Sequence, residues 1–310
     1  MRLVLIDAGG TISAVDHGGG FEGGQLPEAT LAAPRTVDPD LQLDVRTVYR
    51  GLSEAMAFDD AMAVVRAIEA AAREPDVDGI LVAHGTDAME ETCFLTTLTL
   101  SLDRPVVFTG AQHTPSEVDY DGLDNLTLAV RAIAEGQATG TGPLIAFGGR
   151  LLTGWRARKV HAQALEAFGP ADADIGQSQA AAHAPISCQH PCEAVEIIAL
   201  GLGASGRMVR AAAQAGVRGL ILQAMGCGNA SDDVVEAVRE AMQAGCLVGV
   251  ATSCFEGEAI PFYASGRRLE EAGAIFMKAL DPRRARVVLA CALGDGRTPD
   301  QARAIVKAWL

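Results

Sequence analysis

Hydrophobic positions along the chain alternate between two textures. Unbroken aliphatic runs, as in "RLVLID" at 2–7 and "VDGILVAHGTD" at 77–87, read as strands buried on both faces. Between them, "FDDAMAVVRAIEAAAREPD" spaces its apolar residues three and four apart, the period of an amphipathic helix, and Pro75 stops it. "LQLDVRTVY", "RPVVFTGAQ" and "GPLIAFGGRLL" predict further strands; "AMEETCFLTTLTLSL" and "DGLDNLTLAVRAIAEG" predict further helices. Strands alternating with helices imply βαβ units and a mainly parallel sheet flanked by helices. The pattern lapses in "GPADADIGQSQAAAHAPISCQHP" at 169–191, which reads as a linker. It then resumes with strands in "AVEIIALGLG", "VRGLILQAMG" and "LVGVATS" and helices in "SGRMVRAAAQAG", "SDDVVEAVREAMQAG" and "PDQARAIVKAWL". The expected organisation is two α/β domains: a larger N-terminal one over 1–170, a linker over 171–192 and a smaller C-terminal one over 193–310.

Composition narrows the function without naming it. A net charge of -14 argues against a nucleic-acid partner, whose phosphates demand basic patches. No apolar run is long enough to cross a membrane. Met1 and Arg2 lead straight into a strand with no secretory pattern, and the seven cysteines are an odd number, scattered; both favour a cytoplasmic protein. Cys188, His190 and Cys192 sit close in sequence, but a structural metal site needs a fourth ligand in recurring spacing and none follows, so no metal is expected.

Two stretches carry the chemistry. "DAGGTIS" and "AHGTDAMEE" each follow a predicted strand, at the sheet edge where ligands bind in open α/β folds. Phosphate binding is one reading of the first, yet the G-x-G-x-x-G and Walker spacings are absent. A second makes Thr11 a helix cap, with Thr86 or Asp87 doing the same later. A third makes Thr11 a nucleophile presented by Gly9 and Gly10, with backbone N–H groups ready for an oxyanion. Two Gly-Thr turns on one sheet edge favour the third, and Asp87 adds a carboxylate suited to a substrate ammonium.

"GGTIS" paired with "HGTDAMEET" resembles the signature of the bacterial L-asparaginases, the threonine amidohydrolases. The likeness continues through "GLSEAM", "FTGAQ", "DGLDNL", "RKVHAQALEAF", "GCGN", "FYASGRRLEEAGAIF" and "LDPRRARVVLACAL". It implies that Thr11 attacks the side-chain amide of asparagine, glutamine or a related small amide, forming an acyl-enzyme and releasing ammonia without a cofactor. Thr86 and Lys159 would be a second hydroxyl–amine pair, activating the attack or the later water. Asp87 and Glu54 would hold the substrate ammonium and Ser53 its carboxylate. Gly10 and Gly85 would line the substrate, and the Ala111 carbonyl would receive the leaving nitrogen. Asn229 would reach in from another subunit of a homodimer or homotetramer.

Plainer readings stand beside these. Ser53 and Glu54 could cap the helix after "MAF", Lys159 could be a solvated cation, and Asn229 could join Ser231 in capping. The family carries a tyrosine on a mobile lid after the first threonine. Here Tyr49, Tyr120 and Tyr263 all lie elsewhere, Phe21 is the nearest aromatic and His17 the nearest alternative base. The lid's glycines, at 18–20 and 23–24, suit a flexible segment. Cys227 also stands where the family often has asparagine. A non-catalytic binder of an acidic amino acid or its amide, or an ammonia-supplying component of a larger amidotransferase, are the rival functions.

Overall fold

Burial on both faces of the first strand sets the architecture. In β1 (Arg2–Ala8), Leu3 and Leu5 join one apolar cluster while Val4 and Ile6 join another on the opposite face. A computed structural model of the chain describes residues 1–16, 18, 20–169 and 184–310. The candidate base His17 and the linker residues 171–183 lie outside the described residues.

The first unit, Met1–Pro185, continues from β1 through a hairpin, β2 (Ala14–Asp16) and β3 (Phe21–Gly23), to α1 (Glu28–Ala32), β4 (Gln42–Thr47) and α2 (Phe58–Ala72). There follow β5 (Gly79–His84), α3 (Met89–Thr99), β6 (Val106–Thr109), α4 (Gly122–Ala134), β7 (Leu144–Phe147) and β8 (Arg150–Thr153). The short strands β9 (Arg158–Lys159) and β10 (Phe168–Gly169) pair antiparallel. The main sheet has the order β4-β1-β5-β6-β7-β8, parallel except for β7 against β8. "GPLIAFGGRLL" is thus a hairpin rather than one strand. Gly148 and Gly149 at φ +56° and +75° supply the left-handed pair that a two-residue turn requires. One cluster packs the sheet against Val64 and Ile68 of α2, the other against Leu126 and Val130 of α4.

Because β4 lies on one side of β1 and β5 on the other, the strand order reverses between β1 and β5. Open α/β sheets bind ligands beyond the carboxyl ends of the strands at such a reversal. Thr11 follows β1 and Thr86 follows β5.

The second unit, Ile186–Leu310, has a parallel sheet of β11 (Val195–Ala199), β12 (Gly219–Ala224), β13 (Leu247–Thr252) and β14 (Ile275–Phe276). Its helices are α5 (Arg207–Gln214), α6 (Asp232–Gln243), α7 (Ala264–Glu271), α8 (Pro282–Leu293) and α9 (Pro299–Trp309). The end of the expected linker packs onto this unit: the Gln189 and His190 N–H groups donate to Asp295 and the Cys192 N–H to the Ala290 carbonyl. Among the described residues no helix is long and apolar enough to cross a membrane.

Candidate active site

Strand β1 ends on a buried carboxylate, which turns the chain. Asp7 accepts the Gly9 N–H at 3.1 Å and the Thr47 hydroxyl at 3.3 Å, and burial pushes its pKa up. Gly9 and Gly10 then adopt φ +69° and +89°, open to glycine and costly for other residues. The Gly10 N–H donates to the Gly51 carbonyl at 3.1 Å. Thr11 opens a short 3-10 turn, Thr11–Ser13, whose N-cap is Gly10 and which has no side-chain cap bond. Thr11 is therefore no cap; its half-buried side chain sits just past the fixed glycine pair.

The second Gly-Thr turn leaves β5 in the same way. Helix α3 is capped by Ala88 without a side-chain bond, so neither Thr86 nor Asp87 caps it. His84, before the turn, is wholly buried; its Nδ1 lies 2.8 Å from the Gly85 carbonyl, and burial lowers its pKa to about 4.

The two turns touch. A Cβ on Gly10 would fall 2.2 Å from the Gly85 Cα and 2.3 Å from its nitrogen, closer than any side chain tolerates. On Gly85, a Cβ would fall 2.5 Å from the Ser53 hydroxyl oxygen. Only backbones without side chains let β1, β5 and the "GLSEAM" segment converge, and the residue after each touching glycine is a threonine. Ser53 is buried and accepts the Asp87 N–H at 3.1 Å, rather than capping α2. The N-terminus of α2 is served instead by Asp60, which accepts the Ala57 N–H at 3.0 Å.

Lys159 completes the group. From β9 its Nζ donates to the Thr86 hydroxyl at 2.7 Å and to an Asp87 oxygen at 2.7 Å, with only 16% of its side chain exposed. Its backbone N–H donates to buried Glu90, so side chain and main chain are both held by the segment following β5. Ala111 is buried just beyond β6, and the next residue, Gln112, donates through Nε2 to the Ala162 carbonyl at 2.6 Å. Glu54 lies beside Ser53 but is exposed. Asn229 belongs to the second unit, in a turn where its backbone pairs with Met225 and its side chain accepts from Ser265 at 3.4 Å. Ser231 donates to the Ala204 carbonyl, so Asn229 and Ser231 do not form a joint cap.

The chain matches the family model "Asparaginase, N-terminal" over residues 2–186 and "Glutaminase/Asparaginase C-terminal domain" over residues 194–306. It belongs to the asparaginase family. The L-asparaginase of Bacillus licheniformis is 30% identical over 308 residues, spanning 95% of this chain and 96% of that one. The probable L-asparaginase of Deinococcus radiodurans is 29% identical over 325 residues, spanning 98% of this chain and 96% of that one. The thermostable L-asparaginase from Thermococcus kodakarensis superposes with a TM-score of 0.83 at 25% identity, covering 99% of this chain and 97% of that one. As a member of the asparaginase family the chain is an amidohydrolase.

Sequence reasoning missed Glu90, which holds the Lys159 backbone, and His84, buried before the second turn; both lie inside the "AHGTDAMEE" stretch itself, and that proximity was the available signal.

Proposed function

We propose that the chain hydrolyses the side-chain amide of L-asparagine to aspartate and ammonia through an ester on Thr11. The observation that supports this reading is the Gly10–Gly85 contact, which brings the two Gly-Thr turns together, with Lys159 on the second threonine. The Thr11 oxygen bonds to the amide carbon, the carbon–nitrogen bond breaks, and the nitrogen leaves as ammonia with the hydroxyl proton. Water then attacks the ester, returning the Thr11 hydroxyl and giving the acid. A substrate ammonium arriving at Asp87 displaces Lys159 from the shared carboxylate, and the released ammonium gives its proton to solvent. The neutral amine then takes the attacking water's proton through Thr86 and returns it to the Thr11 oxygen as the ester breaks. Ser53 and Glu54 anchor the substrate's α-groups, the Gly10 and Gly85 backbones line it, and the Ala111 carbonyl accepts from the leaving amide.

One observation favours a second reading within the same reaction: Lys159 touches Thr86, which would make Thr86 the first nucleophile. Trapping the intermediate with a reactive asparagine analogue and locating it by peptide mass spectrometry separates the two. A label on Thr11 is expected; a label on Thr86 reverses the roles, and tight aspartate binding with no label and no ammonia would make the chain a binder. We further infer a cytoplasmic homodimer or homotetramer in which Asn229 of a neighbouring subunit closes the site. Light scattering reports the assembly, and co-purification of a different protein would favour an ammonia-supplying role in an amidotransferase.

A further inference from the structure

The residues that brace the Thr11 turn come from far along the chain. Tyr120, just before α4, donates its hydroxyl to the Ile12 carbonyl at 3.0 Å and shares a 2.9 Å hydrogen bond with Thr30, wholly buried in α1. Its ring folds back over the start of α4, so that a Cβ on Gly122 would fall 2.2 Å from the phenol oxygen. The phenol is half-buried and burial pushes its pKa up to about 12, which keeps the hydroxyl protonated and able to donate to Ile12. The next residue, Asp121, holds the loop that follows β6. Its buried carboxylate accepts the Gln112 N–H at 3.0 Å, the His113 N–H at 3.0 Å and the Asn125 amide at 2.8 Å. Asn125 donates in turn to the Gly110 carbonyl at 3.1 Å and accepts from the Gly148 N–H at 3.0 Å.

Two adjacent residues thus clamp two loops that lie far apart in the chain. One loop carries Thr11, the other carries Ala111. We propose that Tyr120 and Asp121 are positioning residues that set the nucleophile against the leaving group: Tyr120 fixes where Thr11 stands, and Asp121 fixes where the Ala111 carbonyl points. The inference rests on Thr11 as nucleophile and Ala111 as leaving-group acceptor.

The chemistry of the leaving group gives a test. An amide leaving nitrogen has N–H groups for the Ala111 carbonyl; the methoxy oxygen of L-aspartate β-methyl ester has none. Steady-state kinetics on L-asparagine and on that ester, run well below each variant's unfolding temperature, separate the two supports. Tyr120→Phe removes only the hydroxyl and is expected to lower kcat about tenfold on both substrates at unchanged KM. Gly122→Ala favours the helix yet drives a methyl into the phenol, and is expected to reproduce that loss. Asp121→Asn turns an N–H toward backbone donors and is expected to cut amide turnover about tenfold more than ester turnover. A merely structural role would lower both activities only in proportion to the folded fraction, which near-ultraviolet circular dichroism measures independently, and would leave both kcat per folded molecule and the amide-to-ester ratio alone. Wild-type kcat in both Tyr120→Phe and Gly122→Ala, or an unchanged amide-to-ester ratio in a folded Asp121→Asn, overturns the proposal. If the wild-type enzyme turns over neither substrate, or is labelled away from Thr11, it is the underlying reading that fails.

Discussion

Replacing Gly10 with alanine tests whether the contact between the two threonine turns is what assembles the site. Two separable costs follow from the structure. The backbone there has φ +89° and ψ −173°, a region essentially reserved for glycine, where an L side chain costs about 1–3 kcal/mol. The added methyl would also lie 2.2 Å from the Gly85 Cα, against roughly 3.5–4 Å for a comfortable carbon contact. What it strikes is backbone, so β1 and β5 must separate; overpacking of this kind costs about 1–3 kcal/mol. Gly136→Ala provides the control for positive φ without a clash, because Gly136 has φ +73° with open space around it. Urea unfolding of both variants is expected to show Gly10→Ala less stable by about 1–3 kcal/mol beyond the control. Activity separates them further. A shift of about 1 Å between Thr11 and Thr86 is expected to lower kcat about a hundredfold, while Gly136→Ala works normally. Wild-type kcat in Gly10→Ala, or stability equal to the control's, would refute the claim that this contact aligns the threonines.

Lys159→Met keeps the aliphatic stem and removes the amine. It is expected to lower kcat by about a hundredfold or more with little change in unfolding temperature, since a pair with half-exposed Asp87 contributes little stability; near-normal steady-state turnover would remove Lys159 from the chemistry. His84 supplies a pH dependence. The folded ring takes up a proton only near pH 4, the unfolded one near the ordinary value of 6.5, so the unfolded chain binds more protons between those values and stability falls as pH drops from about 6.5 to 4. That gap of about 2.5 pH units corresponds to roughly 3 kcal/mol. Denaturant titrations of wild type and His84→Gln across this range are expected to converge toward acid by about that amount, and parallel curves would count against the buried neutral ring.

Much of this site was legible because its signals are local. The aliphatic runs ending at Asp7 and His84 are short and bounded by glycines, which favours strands followed by turns. Parallel strands place such turns on one edge, so two Gly-Thr pairs in sequence become neighbours in space. Local signals failed where two elements share one texture. "GPLIAFGGRLL" is apolar on both sides of Gly148 and Gly149, and the positive φ values that make it a hairpin leave no mark on the hydrophobic pattern. The stretch "PEATLAAPRT" hid α1, whose single helical turn before Pro34 is too short to show a period.

The position of Lys159 shows where sequence reading stops and tertiary structure takes over. It is one of 25 basic residues, with Arg156 and Arg158 close by, and nothing in its spacing distinguishes it from a solvated cation. What selects it is the register of β9 against β10, which sets Lys159 opposite Phe168, a residue buried in the same core cluster as Val64 and Ile68 of α2. With that strand fixed, Glu90 takes the Lys159 N–H, and the side chain runs to the Thr86 hydroxyl. Residues 73 positions apart meet because an apolar side chain on the paired strand needs burial. The amine's position at the threonine thus depends on the packing of its partner strand as well as on its own hydrogen bonds.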